Sequence, residues 1–346
     1  MSNYQLVPYP SLMAAIEGAL AGAGVPEHIH RVEAEIMAEA DLCGVPSHGI
    51  RMLPTLLTGL RDGRANPAPQ LRVVRSRASS CVIDGDNGPG RWVSAEAMQH
   101  AVDYAQQSGI GACLATRVTH WGRAHAYATR AALQGCVGIC TTNAMPAMVA
   151  WGSTVPLLAN NPLAIAVPTG DRDPVVLDMA MSQAAVGKIG TAQREGRRVP
   201  TSWGLDETGS PTDDPAAMLR SRRLLPFGNH KGAGLSLMME LITGALAGGM
   251  LSQEIGAIDG TGLDPQTTKL FIALDVSAFV ASEIFVSRVG DMLTWLRNAE
   301  PGVQVTFPGE RGWSERERRL AEGIPIHQDI VAQLKKAGVE LPHLSG

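Results

Sequence analysis

Aromatic side chains make up only 4% of the 346 residues, so stacking platforms for nucleic-acid bases are not expected. The formal charge of −4 gives no basic footprint for nucleic acid either. No stretch reaches about 18 uninterrupted apolar residues, so no membrane span is expected. The first residues lack a basic segment followed by an apolar one, and no secretory signal is expected. The five cysteines, Cys43, Cys81, Cys113, Cys136 and Cys140, form no Cys-x-x-Cys pair. Four of them sit in apolar runs, which fits buried thiols in a reducing, cytoplasmic protein. No His-Glu-x-x-His or spaced Cys/His set offers a zinc site, so no metal is expected. No Gly-x-Gly-x-x-Gly follows a strand. Gly85, Gly88 and Gly90 come in the wrong order and read as a hairpin turn, and Gly187-Lys188 lacks the rest of a P-loop.

What is present is a 45% apolar fraction with 18% charged residues, enough for a well-packed core. The length fits one large domain or two. The first ~65 residues carry helical periodicity. Ser11 is placed to cap a run through Leu12, Ile16 and Leu20, which Gly22 and Gly24 end; Pro26 starts a second through Val32, Ile36 and Ala40. A third short helix carries Leu53, Leu56 and Leu57, and residues 65–69 read as a linker.

From about Leu71 the pattern changes. Cys81-Val82-Ile83 is a strand that ends in a turn over 84–88, and a helix capped by Ser94 follows. Strands are expected over 110–118, 137–141, 163–167, 175–177 and 270–276, with a helix over 124–133. A helix over 233–246 carries Leu235, Met238, Met239, Leu241 and Ile242 around most of its circumference, so it is expected to be buried. Helices over 282–296, 315–322 and 329–336 close the chain. The architecture is therefore α/β. A mixed-sheet domain over 72–308 is joined by a helical domain in which residues 1–71 and 309–346 pack together.

The strongest chemical signal is Asp41-Leu42-Cys43-Gly44-Val45-Pro46-Ser47-His48-Gly49-Ile50. A helix stops at Gly44, and Pro46 and Gly49 frame a Ser-His pair. Proline fixes one backbone angle and glycine permits close approach, so the frame can hold an imidazole in one place. Histidine titrates near neutrality, which suits proton transfer. A second framed histidine follows in Thr119-His120-Trp121-Gly122, and His125 lies five residues beyond His120. Asn143 ends one apolar run and Asn160-Asn161-Pro162 precedes another; such amides serve a site or an Asx turn equally. Asp178 ends the run Val175-Val176-Leu177, either as a site carboxylate or as the cap of a helix near Met181. Gly228-Asn229-His230-Lys231-Gly232 opens a helix, where backbone N–H groups and the Lys231 charge offer a phosphate site. The residues by themselves point to an enzyme with histidine acid/base groups and an unusual anion site.

In this order, the segments resemble the type 2 malate/L-lactate dehydrogenase family, which includes ureidoglycolate, sulfolactate and diketogulonate enzymes and cyclic-imine carboxylate reductases. The matching pieces run from Gly44-Val45-Pro46-Ser47-His48-Gly49-Ile50 through Asp84-Gly85-Asp86-Asn87-Gly88, His120-Trp121-Gly122, Thr141-Thr142-Asn143 and Trp151-Gly152. They continue through Asn161-Pro162-Leu163-Ala164-Ile165-Ala166, Leu177-Asp178-Met179-Ala180, Gly187-Lys188-Ile189, Lys231-Gly232 and Pro308-Gly309-Glu310. The resemblance implies a non-Rossmann NAD(P)-binding fold, which accounts for the missing glycine fingerprint. It also implies a homodimer with its active site in the cleft between the α/β and helical domains. On that basis His48 and His120 line the reaction site, with either as the proton donor. Asp178, Met179 and Ala180 lie along NAD or NADP, Asn143, His230 and Lys231 are further cofactor contacts, and Gly309 and Glu310 close that site.

One departure matters. The family often has an Arg, the holder of the substrate carboxylate, where this chain has Met52. Here Arg51 stands one residue earlier, and a one-residue shift on an α-helix turns a side chain by about 100°. Arg123, three residues after His120, is the expected replacement, with Ser47 and Arg51 as the other substrate-side candidates. His230 replaces a residue that is usually aromatic. Arg194, Arg197 and Arg198 either meet a 2′-phosphate or are solvated, which leaves NAD and NADP both open. The implied reaction is hydride transfer between nicotinamide and a small 2-oxo/2-hydroxy carboxylate, with His as proton donor or acceptor. The alternatives are reduction of a cyclic imine carboxylate, and a catalytically silent binding protein on the same scaffold.

Overall fold

The prolines and glycines of the N-terminal segment set its helices. In a computed structural model that describes residues 3–170, 173–258 and 261–342, a short strand β1 (Tyr4–Val7) leads through Pro8 into α1 (Tyr9–Gly22). Pro8 and Pro26 occupy N-cap positions, where a missing N–H costs nothing; Ser11 lies inside α1 and is not its cap. α2 (Glu27–Leu42) stops where Gly44 turns to φ +77°, the left-handed region that glycine tolerates. A 3₁₀ turn (Ile50–Met52) then enters α3 (Leu53–Arg61).

The central sheet has seven strands. In chain order they are β2 (Arg72–Arg77), β3 (Ser80–Gly88), β4 (Ile110–Val118), β5 (Cys136–Thr142), β8 (Leu163–Val167), β9 (Val175–Met179) and β12 (Thr267–Asp275). They lie in the order β2-β3-β4-β12-β5-β8-β9. Only β3 and β4 pair in parallel; the other neighbours are antiparallel. The late strand β12 therefore inserts between β4 and β5, which sets Lys269 between Ala115 and Thr142. α4 (Gly90–Ser108) and α5 (His125–Ala132) pack on this sheet. Phe271, fully buried on β12, meets the Trp121 and Tyr127 rings at 6.0 and 5.7 Å. Burying such a side chain contributes about 1.5–3 kcal/mol.

A second, four-stranded sheet was not foreseen. Its strands are β6 (Pro146–Val149), β7 (Pro156–Ala159), β10 (Gly204–Leu205) and β11 (Arg223–Leu224), each too short to show a period. α6 (Val186–Arg194), α7 (Pro215–Ser221), α8 (His230–Glu240), α9 (Ser252–Ile258) and α10 (Ser282–Asn298) complete the middle of the chain. α11 (Glu310–Glu322), β13 (Ile324–His327) and α12 (Gln328–Lys336) return to the N-terminal helices. β13 pairs antiparallel with β1, and α11 and α12 pack on α2 and α3. One apolar core runs from Leu12, Ile16 and Ile36 through to Ile83 and Phe271, and a smaller cluster around Met148, Met181 and Met218 underlies the second sheet.

Three expectations are corrected. The glycines at 85–90 do not make a hairpin. Asp86 and Asn87, at φ +54° and +52°, form an irregularity near the end of β3, and the chain runs straight into α4. Ser94 does not cap α4, which begins at Gly90; the first N–H groups, of Arg91 and Trp92, donate instead to Glu33 Oε1 of α2 at 2.6 and 2.9 Å. A carboxylate there satisfies orphan donors and suits the positive end of the helix dipole. Finally, α8 is not buried by its own chain. Its inward face is Gly232, Ala233, Ser236 and Glu240, while Leu235, Leu237 and Met238 are 39–51% exposed.

Candidate active site

A cavity of about 520 Å³ forms where the loop after α2 meets the loop after β4, over the ends of β5 and β12. Each loop is held by contacts that explain its glycine. Asp41 Oδ2 accepts the Ile50 N–H at 2.6 Å, and a Cβ on Gly49 would lie only 2.1 Å from that oxygen. A Cβ on Gly90 would lie 2.2 Å from the Thr119 carbonyl oxygen, and one on Gly122, at φ +75°, 2.8 Å from Arg91 Nε. Arg91, at 2% exposure, bonds Glu33 Oε2 at 3.3 Å and donates to the His48 carbonyl at 3.1 Å. The start of α4 thus fixes both histidine loops. Removing one partner of such a buried pair costs roughly 3–5 kcal/mol.

His48 and His120 face each other across 5.9 Å, with their rings 22° from parallel. Ser47 Oγ lies 2.8 Å from His48 Nδ1, in a bond that either atom can donate. The Gly122 N–H donates to His120 Nδ1 at 3.1 Å, so the neutral ring carries its proton on Nε2. Each imidazole keeps an edge toward the cavity but is otherwise enclosed by protein. Burial pushes the His48 pKa down to about 4, opposed by Asp178 and reinforced by Arg123, Arg91 and Arg51. Burial also holds His120 well below its ordinary value, with Arg91, His48, Lys269 and Arg51 adding to the effect. Both rings are therefore neutral at pH 7.

Arg51 and Met52 both line the cavity, which a one-residue offset on an α-helix would not give. The difference arises because the segment is a 3₁₀ turn at the cavity edge and the arginine side chain is long. Among the described residues no carboxylate lies within ion-pair distance of Arg51. Burial, then the neighbouring Arg194, lower its affinity for a proton, opposed by the field of Asp41. Arg123 is elsewhere. Its Nε bonds Asp178 Oδ2 at 2.9 Å behind the His120 loop, and it does not line the cavity. His125 stands further back on α5, its ring 4.9 Å from that of Trp313.

Sequence reasoning missed Lys269, which lines the same cavity at 1% exposure. The available signal was Thr267-Thr268, β-branched residues that start β12 ahead of the apolar run. Asn143 lines the cavity too, but its amide is engaged. Its Oδ1 accepts the Thr268 N–H at 2.8 Å and its Nδ2 donates to the Met250 carbonyl at 2.8 Å.

The other named residues align along β9. Asp178 and Met179 end the strand and Ala180 follows it. The turn carrying His230 and Lys231 is clamped beside them. The Phe227 N–H donates to the Met181 carbonyl at 3.0 Å, and a Cβ on Gly232 would lie 2.6 Å from that carbonyl oxygen. Both His230 and Lys231 are exposed, with His230 against Trp151 at 6.0 Å. At the start of β9 the Val176 N–H donates to the Pro308 carbonyl at 3.1 Å, which brings up Gly309, at φ +97°, and Glu310. A second cavity of about 540 Å³ opens there beside Asp173, Val175, Phe307, Glu310 and Trp313.

A sequence model of the family described as malate/L-lactate dehydrogenase matches residues 7–335. The chain belongs to this family. It is an oxidoreductase acting on small carboxylates, as its relatives are. The malate dehydrogenase of Pyrococcus horikoshii is 34% identical over 98% of this chain and 97% of that protein. The Δ1-pyrroline-2-carboxylate/Δ1-piperideine-2-carboxylate reductase of Pseudomonas syringae pv. tomato is 34% identical over 96% of each. A solved structure of malate dehydrogenase from Pyrococcus horikoshii superimposes with a TM-score of 0.88 at 32% identity, covering 99% of this chain and 98% of that one.

Proposed function

We propose that the protein transfers a hydride between NAD or NADP and a small 2-oxo/2-hydroxy carboxylate in the cavity between His48, His120 and Arg51. The observation that carries this reading is the pairing of two enclosed, neutral imidazoles with a guanidinium that makes no ion pair among the described residues. A nicotinamide dinucleotide fits the arrangement along β9. Gly309 packs directly on the Val176 backbone at one end, which sets Glu310 beside the second cavity, and the Lys231 turn stands at the other. Asp178, Met179, Ala180, His230, Lys231, Gly309 and Glu310 would hold it, and when bound it supplies or accepts the hydride.

The chain's own residues handle the carboxylate and the proton. Arg51 binds the substrate carboxylate, a task that suits its planar fork. His120 directs Nε2–H to the carbonyl oxygen. Burial first, and then the surrounding cations, oppose a second proton on His120. An entering anion offsets the cations, and a proton taken up on Nδ1 replaces the bond from the Gly122 N–H. Ser47 orients His48, which exchanges protons with the same oxygen from the facing side. Arg123 acts one step back by fixing Asp178.

A cyclic imine carboxylate is the second reading, favoured by the neutrality of both rings. A protonated C=N group needs no proton from them. The reading also includes a homodimer in the cytoplasm. α10 buries none of its residues, and its Ile284, Met292 and Trp295 are exposed, like the outer face of α8. Apolar helix faces of this kind mark association surfaces. Five free, buried cysteines suit a reducing compartment.

The test is a fluorescence titration with NADH and NADPH, followed by turnover of pyruvate, oxaloacetate and Δ1-pyrroline-2-carboxylate. Binding of one cofactor and reduction of an oxo acid are expected. Absence of binding by both cofactors would overturn the reading, and turnover of the imine alone would select the second.

A further inference from the structure

Lys269 is hard to account for as a structural residue. It stands on the central strand of the main sheet, between Ala115 and Thr142, where neighbouring Leu270 and Phe271 are apolar and buried. Its ammonium donates to the Thr267 hydroxyl, which itself donates to the Val118 carbonyl at 2.8 Å. An ammonium has three N–H donors. Among the described residues no other acceptor is within hydrogen-bond distance of Lys269, and no carboxylate is within ion-pair distance; the Trp121 ring centroid lies 5.8 Å away. Burial draws its pKa down to about 7, opposed by Asp264, a carboxylate that lines the same cavity and makes no ion pair with it. Taking an ammonium out of water is unfavourable unless something compensates. A methionine or leucine would fill the same space without that cost.

The compensation lies in the cavity. Lys269 lines it from the sheet side, while Arg51 lines it from the side of the 3₁₀ turn, with Arg194 next to it. The cavity thus presents cationic donors on two different walls. A substrate with a single carboxylate leaves one of them unanswered. A substrate with a second anionic oxygen group answers both, and that group also favours the charged form of Lys269.

We infer that Lys269 is a substrate-binding residue that selects a 2-oxo/2-hydroxy acid bearing a second anionic group, which it holds while Arg51 holds the first carboxylate. The inference rests on the reading of this cavity as the oxidoreductase site and names its substrate class. No bond to Lys269 is made or broken, and its role is charge and hydrogen bonding alone.

Two measurements test it on the full-length protein. The first is calorimetric binding of succinate and of butyrate, matched in chain length, to the wild type, Lys269→Met and Lys269→Arg. Succinate is expected to bind the wild type more tightly than butyrate does, and Lys269→Met to weaken succinate relative to butyrate by about tenfold or more, the range of a charged hydrogen bond. Lys269→Arg should retain most of the preference. Lys269→Gln, polar but uncharged, replaces Met if that variant does not fold. The second measurement is the ratio of kcat/KM for oxaloacetate to that for pyruvate, which should fall by a similar factor in Lys269→Met. Equal losses for both ligands, or no loss, would overturn the inference. Lys269-dependent succinate binding without turnover of either oxo acid would uphold Lys269 as the holder of a second anionic group and reject the oxo-acid redox reading instead.

Discussion

Three glycine-framed segments look alike in the sequence and meet two different fates in the fold. The Ser47-His48-Gly49 and His120-Trp121-Gly122 loops converge, each locked by a carboxylate or guanidinium that leaves no room for a Cβ. The Gly228-Asn229-His230-Lys231-Gly232 turn is locked as firmly to Met181 by its backbone, yet its two charged or titratable side chains point into solvent. A glycine frame therefore reports a fixed backbone, not an enclosed side chain. What separates the two cases is the second element that closes over the residue: α4 supplies it for the histidines. Among the described residues no element closes over Lys231, which stands on the same helix as the uncovered Leu235, Leu237 and Met238.

The largest expected effect follows from the enclosed pair. His120→Ala should lower kcat by roughly 10²–10⁴-fold, the usual range for a lost proton-transfer group, with cofactor affinity near normal. His48→Ala should also lower kcat, by less for a ketone substrate. Full turnover in either variant, measured at saturating substrate, would remove that ring from the chemistry. The carboxylate holder comes next. Arg51→Met should raise KM for oxo acids about tenfold or more, as loss of a charged hydrogen bond does. Arg123→Met should instead lower thermal stability and loosen Asp178, since its guanidinium is already paired at 2.9 Å. An Arg123→Met enzyme with a raised KM and unchanged melting would reverse this assignment.

The exposed segment gives a smaller effect. Lys231→Met should weaken NAD(P)H binding by about 10–150-fold if a phosphate is held there through a charged hydrogen bond. Unchanged affinity in a folded variant would leave the turn with a purely architectural part. Adding Leu237→Glu is expected to lower the mass in sedimentation from the proposed dimer to a monomer and to show whether the Lys231 turn works only when its helix is covered.

Much of this was legible locally. Gly109 precedes the strand over 110–118, and Pro162 and Pro168 bound the one over 163–167, so both show in the sequence. The histidine loops were visible for the same reason. The illegible parts all involve an element brought from elsewhere. Glu33 caps α4 from another helix, so no capping box appears near Gly90. β1 and β13 are four residues each and exist because the chain ends meet. Arg51 looked misdirected only under the assumption of an α-helix at 50–52. Lys269 sits just outside the apolar run that marked its strand, so its place in the cavity depends on β12 inserting between β4 and β5.

The smallest expected effect concerns the clamp behind the first histidine loop. Burial raises the Asp41 carboxyl to about 7, while the Ile50 N–H, Arg319, Arg91 and Arg51 pull the other way. In the unfolded chain the same group releases its proton near 4. Between about pH 4 and 7 the folded protein therefore binds more protons than the unfolded one. Stability contributed by Asp41 is fully present below that window and is lost as pH rises through it, by up to about 1.4 kcal/mol per unit. Asp41→Asn keeps an acceptor for the Ile50 N–H but cannot ionise. The difference in denaturant stability between Asp41→Asn and the wild type should thus grow in favour of the variant from pH 5 to pH 7.5 and then level off. Because Glu33 and Glu39 are raised by burial as well, only the difference between the two proteins isolates Asp41. Parallel stability curves across that range would mean that Asp41 is ionised throughout and that its bond to Ile50 is charge-assisted from pH 5 upward.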